Sequence, residues 1–154
     1  MTSLKLLFNR LLDNKIIGRI IMAVSLVGFA DSVYLTVDHY FGIGVLCYLV
    51  HGCDVVLKSE YSQLFGVPLA IFGIIFYSCV FVIINLVDIY QKDKFVKLLY
   101  VIGIVGFIAS IIFLYLQLFV IEALCFYCLV SLGSSTIIFI LSILLYNRST
   151  NIVP

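Results

Sequence analysis

The chain has 154 residues, of which 64% are hydrophobic and 11% are charged, and its formal net charge is +1. Apolar residues make up only about half of a typical soluble domain, so a mean hydropathy of +1.27 excludes an ordinary soluble protein. The small net charge gives no sign of a nucleic-acid partner, and the length suits one domain, 1–154.

Four apolar stretches predict an all-α integral membrane protein, a bundle of four transmembrane helices. A helix needs about 20 apolar residues to cross the hydrocarbon core. Three windows without any charged residue exceed that length: Tyr61–Val87, Leu98–Ile121 and Ala123–Asn147. The four predicted spans cover about residues 16–37, 67–87, 97–119 and 125–146.

The first span is the least regular, because Ile20–Val37 contains one charged residue, Asp31. A basic start and the small residues of Gly28-Phe-Ala30 also fit a signal peptide loosely. Arg19 interrupts the apolar region, which favours a retained helix. An ionisable group inside a span is often functional, so Asp31 is either a structural carboxylate or a group that protonates a ligand.

The distribution of basic residues predicts the orientation. If the N-terminus is cytoplasmic, only Lys58 lies outside, and the other Lys and Arg residues lie inside: Lys5, Arg10, Lys15, Arg19, Lys92, Lys94, Lys97 and Arg148. The positive-inside rule therefore predicts a multi-pass protein of the cell membrane with both termini cytoplasmic. Loop 38–66 and the junction before the fourth span then face outward.

The outer loop 38–66 is long for a connection between two antiparallel helices, and loops of this length often carry function. Within it, Gly52–Ser59 predicts a short helix on the membrane surface, with Val55 and Val56 turned inward. Pro68 is expected among the first helical residues of the second span.

Cys125 and Cys128 open the fourth span as a CxxC pair. On a helix, residues three apart rise by about 4.5 Å, within the range of Cα separations that a disulfide accepts. The positive end of the helix dipole favours a thiolate at Cys125. A redox function is one interpretation, and an accidental pair in an apolar helix is the other.

Cys47 and Cys53 form a second pair in the outer loop, on the same side of the membrane. A mobile dithiol that reaches the first pair suits thiol–disulfide exchange. A static disulfide that fixes the loop remains open, as does a zinc site that adds His39 or His51 to the four cysteines. Cys79 in the second span is expected to be buried and inert.

The order of these motifs resembles the vitamin K epoxide reductase (VKOR) family. The resemblance covers about residues 16–146 and rests on Cys47-x5-Cys53, Gly52-Cys-Asp-Val-Val-Leu-Lys-Ser59, Ile71-Phe-Gly-Ile-Ile-Phe-Tyr77 and Cys125-x-x-Cys128. It implies a four-helix bundle around a membrane quinone of the menaquinone or ubiquinone type. The similar disulfide bond protein B family is set aside, because there the CxxC precedes the loop pair.

The resemblance also implies the site residues. Cys128 is expected nearest the quinone, Cys125 to exchange with Cys53, and Cys47 to meet a thioredoxin-like partner. Ser59 is expected to orient the loop or the quinone through its hydroxyl group, or else is an ordinary surface residue. The expected quinone contacts, which have packing as their alternative, are Phe72, Phe76 and Leu132.

Two details place the chain within the family. The spacing of the loop cysteines is the prokaryotic one, and Leu129–Leu132 replaces the Thr-Tyr-Ala segment of the vertebrate enzymes. We therefore expect a quinone-dependent thiol oxidoreductase that supports disulfide formation, with a separate thioredoxin-like partner because the chain ends at Pro154. Alternatives are a reductase of vitamin K or its epoxide and, in a different class, a non-catalytic membrane subunit.

Overall fold

The structure, a computed structural model, describes residues 2–42, 53–64 and 66–150. Its elements in chain order are α1 (Thr2–Phe41), α2 (Cys53–Lys58), a 3₁₀ helix (Glu60–Ser62), β1 (Gln63–Leu64), β2 (Val67–Pro68), α3 (Leu69–Tyr90), α4 (Asp93–Phe119) and α5 (Phe126–Thr150). Four helices in the described part, α1, α3, α4 and α5, are long and apolar enough to cross a membrane. The predicted fold class is confirmed.

The four long helices form an antiparallel bundle in which α1 and α4 each pack against both α3 and α5. Near the chain termini, Arg148 donates a hydrogen bond to Asn14 Oδ1 at 3.3 Å, joining the end of α5 to the first part of α1. The rings of Phe107 and Phe139 stack at 4.8 Å between α4 and α5. Both described ends of the chain and the α3–α4 connection therefore lie at the same end of the bundle.

The half of the bundle nearest the chain termini, here called the closed half, contains the main core. Its buried residues come from all four long helices: Ile17, Ile21, Tyr77, Val80, Ile83, Ile84, Val96, Leu99, Ile138 and Leu145. Gly103 lets α4 approach α5, because an added Cβ would lie only 2.9 Å from Ser142 Oγ. The opposite half, formed by the end of α1, the start of α3, the end of α4 and the start of α5, is here called the cavity half.

The helices are longer than the predicted spans. α1 is continuous from Thr2, whereas the predicted span began near residue 16. Only Gln91 and Lys92 separate α3 from α4, and Gln91 ends α3 in the left-handed conformation, with φ 48°. Charge-free windows mark the apolar part of a helix, and charged residues such as Asp88 extend it beyond that window.

Two predictions for the loop are wrong in detail. Pro68 is the N-cap of α3 and not a helical residue; it pairs with Gln63 in a small antiparallel ribbon. Val56 is buried, but Val55 is 55% exposed. Neighbouring residues on a helix are about 100° apart around its axis, so the short α2 turns only one of the two valines toward the bundle.

Candidate functional site

The cavity half encloses an apolar cavity of about 330 Å³, a size within the usual range for small-molecule sites. Its wall contains all four residues that the sequence suggested as ligand contacts: Ser59, Phe72, Phe76 and Leu132. Cys128 lies in the same wall. The structure therefore brings together side chains from the outer loop, α3 and α5 around one space.

The CxxC pair lies where the chain enters α5. Cys125 immediately precedes the helix and is completely buried, and its carbonyl accepts the first α5 hydrogen bond, from Leu129 N at 3.1 Å. Both Cys125 and Cys128 carry free thiols. The Cys128 thiol donates a hydrogen bond to the Cys125 sulfur, which lowers the pKa of Cys125 to about 7 although burial opposes this shift. Cys125 is thus prepared to react as a thiolate near neutral pH.

The short helix α2 covers this pair. Cys53, its first residue, is disulfide-bonded and completely buried, and it packs with Val56 and Cys125 in a small apolar cluster. Ser59 ends α2 by donating its hydroxyl hydrogen to the Val56 carbonyl at 2.7 Å. Cys47 and His51, both considered in the sequence, lie outside the described residues.

Gln117, near the end of α4, is a residue of this site that sequence reasoning missed. Its side chain is 4% exposed, and its Oε1 accepts a hydrogen bond from Cys125 N at 3.2 Å. The Gln117 side chain also hydrogen-bonds Cys128, and its carbonyl accepts from Ala123 N in the turn before α5. The available signal was a single amide in an otherwise apolar segment, eight positions before Cys125.

Tyr77 separates the cavity from the closed half. Its ring lies directly against Gly28, where any added Cβ would overlap it. Its hydroxyl donates to the Ser131 carbonyl at 3.0 Å. Tyr77 therefore joins α1, α3 and α5 at the floor of the cavity, and the glycine of α1 makes room for the ring.

Two titratable residues of α1 also lie in the cavity wall, Asp31 and His39. Asp31 Oδ2 is buried without a hydrogen-bond partner, and it is the one such side-chain atom in the described part of the chain. His39 is exposed at the mouth of the cavity, where its Nε2 lies 3.4 Å from the Gln63 amide nitrogen. The two residues differ in position: Asp31 is interior and His39 is at the water-facing rim.

Cys79 does not belong to the site. The sequence suggested a buried residue, but the structure places it exposed on the outside of the bundle. In a membrane, the outer surface of a bundle is as apolar as its interior, so hydrophobicity alone does not show which way a mid-helix cysteine faces. No group of three or more potential metal ligands occurs among the described residues.

The fold and this site define a multi-pass membrane protein with a dithiol in the wall of an apolar cavity. The chain belongs to the vitamin K epoxide reductase family, whose sequence model matches residues 19–143. Membership implies a membrane oxidoreductase that couples thiol–disulfide exchange to quinone chemistry. A comparison with curated proteins gave no significant match.

Proposed function

We propose that this protein oxidises a thioredoxin-like partner and passes two electrons to a membrane quinone, thereby supporting disulfide formation. One observation carries the proposal. The CxxC pair lies between the apolar cavity and the loop helix α2. Cys128 is in the wall of the cavity, and Cys125 packs with the disulfide-bonded Cys53 of α2. A dithiol in that position has an electron donor on one side and room for an acceptor on the other.

The quinone is a substrate of this reaction, and the cavity suits a molecule of its kind. Phe72 and Phe76 are one helical turn apart on α3, and Leu132 is one turn beyond Cys128 on α5, so the wall offers flat and aliphatic surfaces beside a sulfur. Such surfaces favour a planar apolar ring. A bound quinone supplies the capacity to take up two electrons and two protons.

Ser59 acts on the loop in this proposal. Its single hydroxyl hydrogen is already donated to the Val56 carbonyl, so it is not available to a quinone carbonyl at the same time. The bond fixes the end of α2 and thereby holds Cys53 over Cys125. Of the two roles that the resemblance implied for this serine, the geometry favours orientation of the loop.

The electron route has three exchanges. The partner dithiol reduces a loop disulfide, which the family resemblance implies to be Cys47–Cys53. Cys53 then reduces an oxidised Cys125–Cys128 pair through a mixed disulfide with Cys125, and the dithiol is reoxidised by the quinone at Cys128. The state with Cys53 oxidised and the CxxC pair reduced corresponds to the step before quinone reduction.

The direction of electron flow follows from the reduction potentials of the redox couples and from the side of the membrane on which the cysteines lie. Two-electron transfer between couples that differ by about 30 mV releases about 1.4 kcal/mol, so a more oxidising quinone draws electrons from the partner. The basic residues favour cytoplasmic termini in the cell membrane. The cavity half lies at the opposite end of the bundle, so the cysteines would face the outer, oxidising side.

The test uses purified protein in detergent, a reduced thioredoxin-like dithiol protein and a soluble quinone, with quinol formation as the signal. We expect wild type and Cys79→Ala to form quinol, because Cys79 lies outside the site, and Cys128→Ala to form none. Equal quinol formation by Cys128→Ala would refute the assignment. Reduction of vitamin K epoxide by wild type would favour the alternative reductase, and failure to bind any quinone would favour a non-catalytic subunit.

A further inference from the structure

We infer that Asp31 is the proton donor of this site: its carboxyl group donates a hydrogen bond to a quinone carbonyl oxygen and delivers a proton there during reduction. The inference rests on the proposed function and adds a catalytic residue to it. Two observations carry it. Asp31 lies in the wall of the cavity that also contains Cys128, and its Oδ2 is buried without any hydrogen-bond partner.

A quinone carbonyl needs a hydrogen-bond donor, and most polar groups of the wall are already occupied. The hydroxyl groups of Ser59, Tyr77 and Ser135 each donate to a backbone carbonyl, those of Val56, Ser131 and Leu132 respectively. The Gln117 carbonyl oxygen is an acceptor for Cys125 N. Among the described residues, Asp31 Oδ2 is the one buried side-chain nitrogen or oxygen atom without a hydrogen-bond partner.

The surroundings of Asp31 favour a carboxyl group that holds its proton. No described Lys, Arg or His lies among its neighbours in the cavity wall except His39, two turns away at the mouth. The titratable groups close enough to interact with its charge are Tyr77 from α3 and Cys125, Tyr127 and Cys128 from the start of α5. All four are neutral or become negative, and an unpaired carboxylate in an apolar setting is costly.

The proton balance closes around this group. Oxidation of the Cys125–Cys128 dithiol breaks two S–H bonds, forms one S–S bond and releases two electrons and two protons. Both electrons pass to the quinone, on which two O–H bonds form. Asp31 delivers one proton from Oδ2 and recovers one that Cys128 releases. The second thiol proton leaves through the cavity mouth beside His39, where water supplies the proton for the other oxygen.

The test separates binding from proton transfer with Asp31→Asn, which keeps the size and a donor but holds no transferable proton. We expect quinone affinity, measured by equilibrium dialysis with ubiquinone-1, to stay within about threefold. The rate at which saturating ubiquinone-1 oxidises the pre-reduced Cys125–Cys128 pair should fall about 100-fold, in the range of general-acid contributions. Asp88→Asn, which removes an exposed carboxylate at the far end of α3, should change neither quantity.

Infrared difference spectra of the wild type and of Asp31→Asn provide a second readout, which does not depend on turnover. We expect ubiquinone-1 to shift the C=O band of a protonated carboxyl group, and we expect that band to be missing in Asp31→Asn. An unchanged oxidation rate in Asp31→Asn, a loss of affinity alone, or no protonated carboxyl band would overturn the inference. In each case a wild type that reduces quinone leaves the proposed function standing, whereas an inactive wild type overturns both.

Discussion

The two halves of the bundle use the same four helices for different purposes. In the closed half, aliphatic side chains such as Ile21, Leu99 and Ile138 are completely buried and meet across the axis. In the cavity half, the helices leave a space whose wall contains a thiol and an unpaired carboxyl group. Tyr77 lies at the boundary between them. The closed half holds the helices together, so that the other half can tolerate an opening and polar groups that would weaken a core.

The comparison predicts that truncation costs more in the closed half than in the cavity half. Ile138→Ala removes a side chain with 0% exposure and should lower the free energy of unfolding by about 2–5 kcal/mol. Leu132→Ala, on the same helix, removes part of the cavity wall and should cost less than about 2 kcal/mol, while weakening quinone binding. Unfolding of both variants in mixed micelles measures this. Equal losses would mean that the halves are packed alike.

A second prediction concerns the space itself. Ala109 on α4 lines the cavity, so Ala109→Phe should fill it and lower quinone affinity at least about 100-fold, equivalent to about 2.7 kcal/mol. Gly103→Ala is the matched change in the closed half, where the new methyl group meets Ser142. It should lower stability by about 1–3 kcal/mol and leave affinity unchanged. If Gly103→Ala weakened quinone binding and Ala109→Phe did not, the quinone would have to bind outside this cavity.

Gln117 offers a smaller effect that is specific to the cavity half. Gln117→Leu leaves the buried Cys125 N–H without its acceptor, which should cost about 1–3 kcal/mol. Hydrogen exchange at the Cys125 amide should become faster. Gln63→Leu, which alters an exposed glutamine on β1, is the control and should leave that amide as protected as in the wild type. Unchanged protection in Gln117→Leu would show that the bond does not hold the turn.

The pH dependence of Cys125 gives the smallest effect, about tenfold in rate. In Cys53→Ala, which uncovers Cys125, alkylation at Cys125 should rise with pH and level off above its pKa of about 7. The sign follows from the lowered pKa: the thiolate is present above pH 7 and is lost below it. In Cys53→Ala/Cys128→Ala, which lacks the donated hydrogen bond, the midpoint should move toward the ordinary value of about 8.5. Peptide mass spectrometry measures the alkylation of Cys125 in both variants. Identical pH midpoints would contradict the hydrogen bond from Cys128 to Cys125.

Much of the fold was predictable because hydropathy along the chain directly reports the length of each span. The end of α3 could not be predicted in this way. Asp88 ends the charge-free window, but the helix continues through it to Tyr90. Facing was harder. A membrane helix is apolar on all sides, so its pattern distinguishes the interior from lipid poorly, and Cys79 was assigned to the wrong side for this reason.

Some residues of the candidate site could likewise be recognised from the sequence, and others could not. The CxxC pair, Phe72 and Phe76 were recognisable because residues three or four apart lie on one helical face. The structure places Phe72, Phe76 and Cys128 in the wall of one cavity, with Cys125 in contact with Cys128 behind that wall. Gln117 and Gly28 were missed because their roles depend on partners distant in sequence. The first supports Cys125 from the preceding helix, and the second accommodates the ring of Tyr77.

The most direct test of the central claim, that a quinone binds in the cavity half beside Cys128, is photolabelling with an azidoquinone followed by peptide mapping. The account predicts label within Leu69–Phe76 and Cys128–Leu132, displaced by excess unlabelled quinone and lost in Ala109→Phe. Label confined to Val80–Ile84 or Ile138–Leu145 in the closed half, or label that excess quinone does not displace, would contradict it.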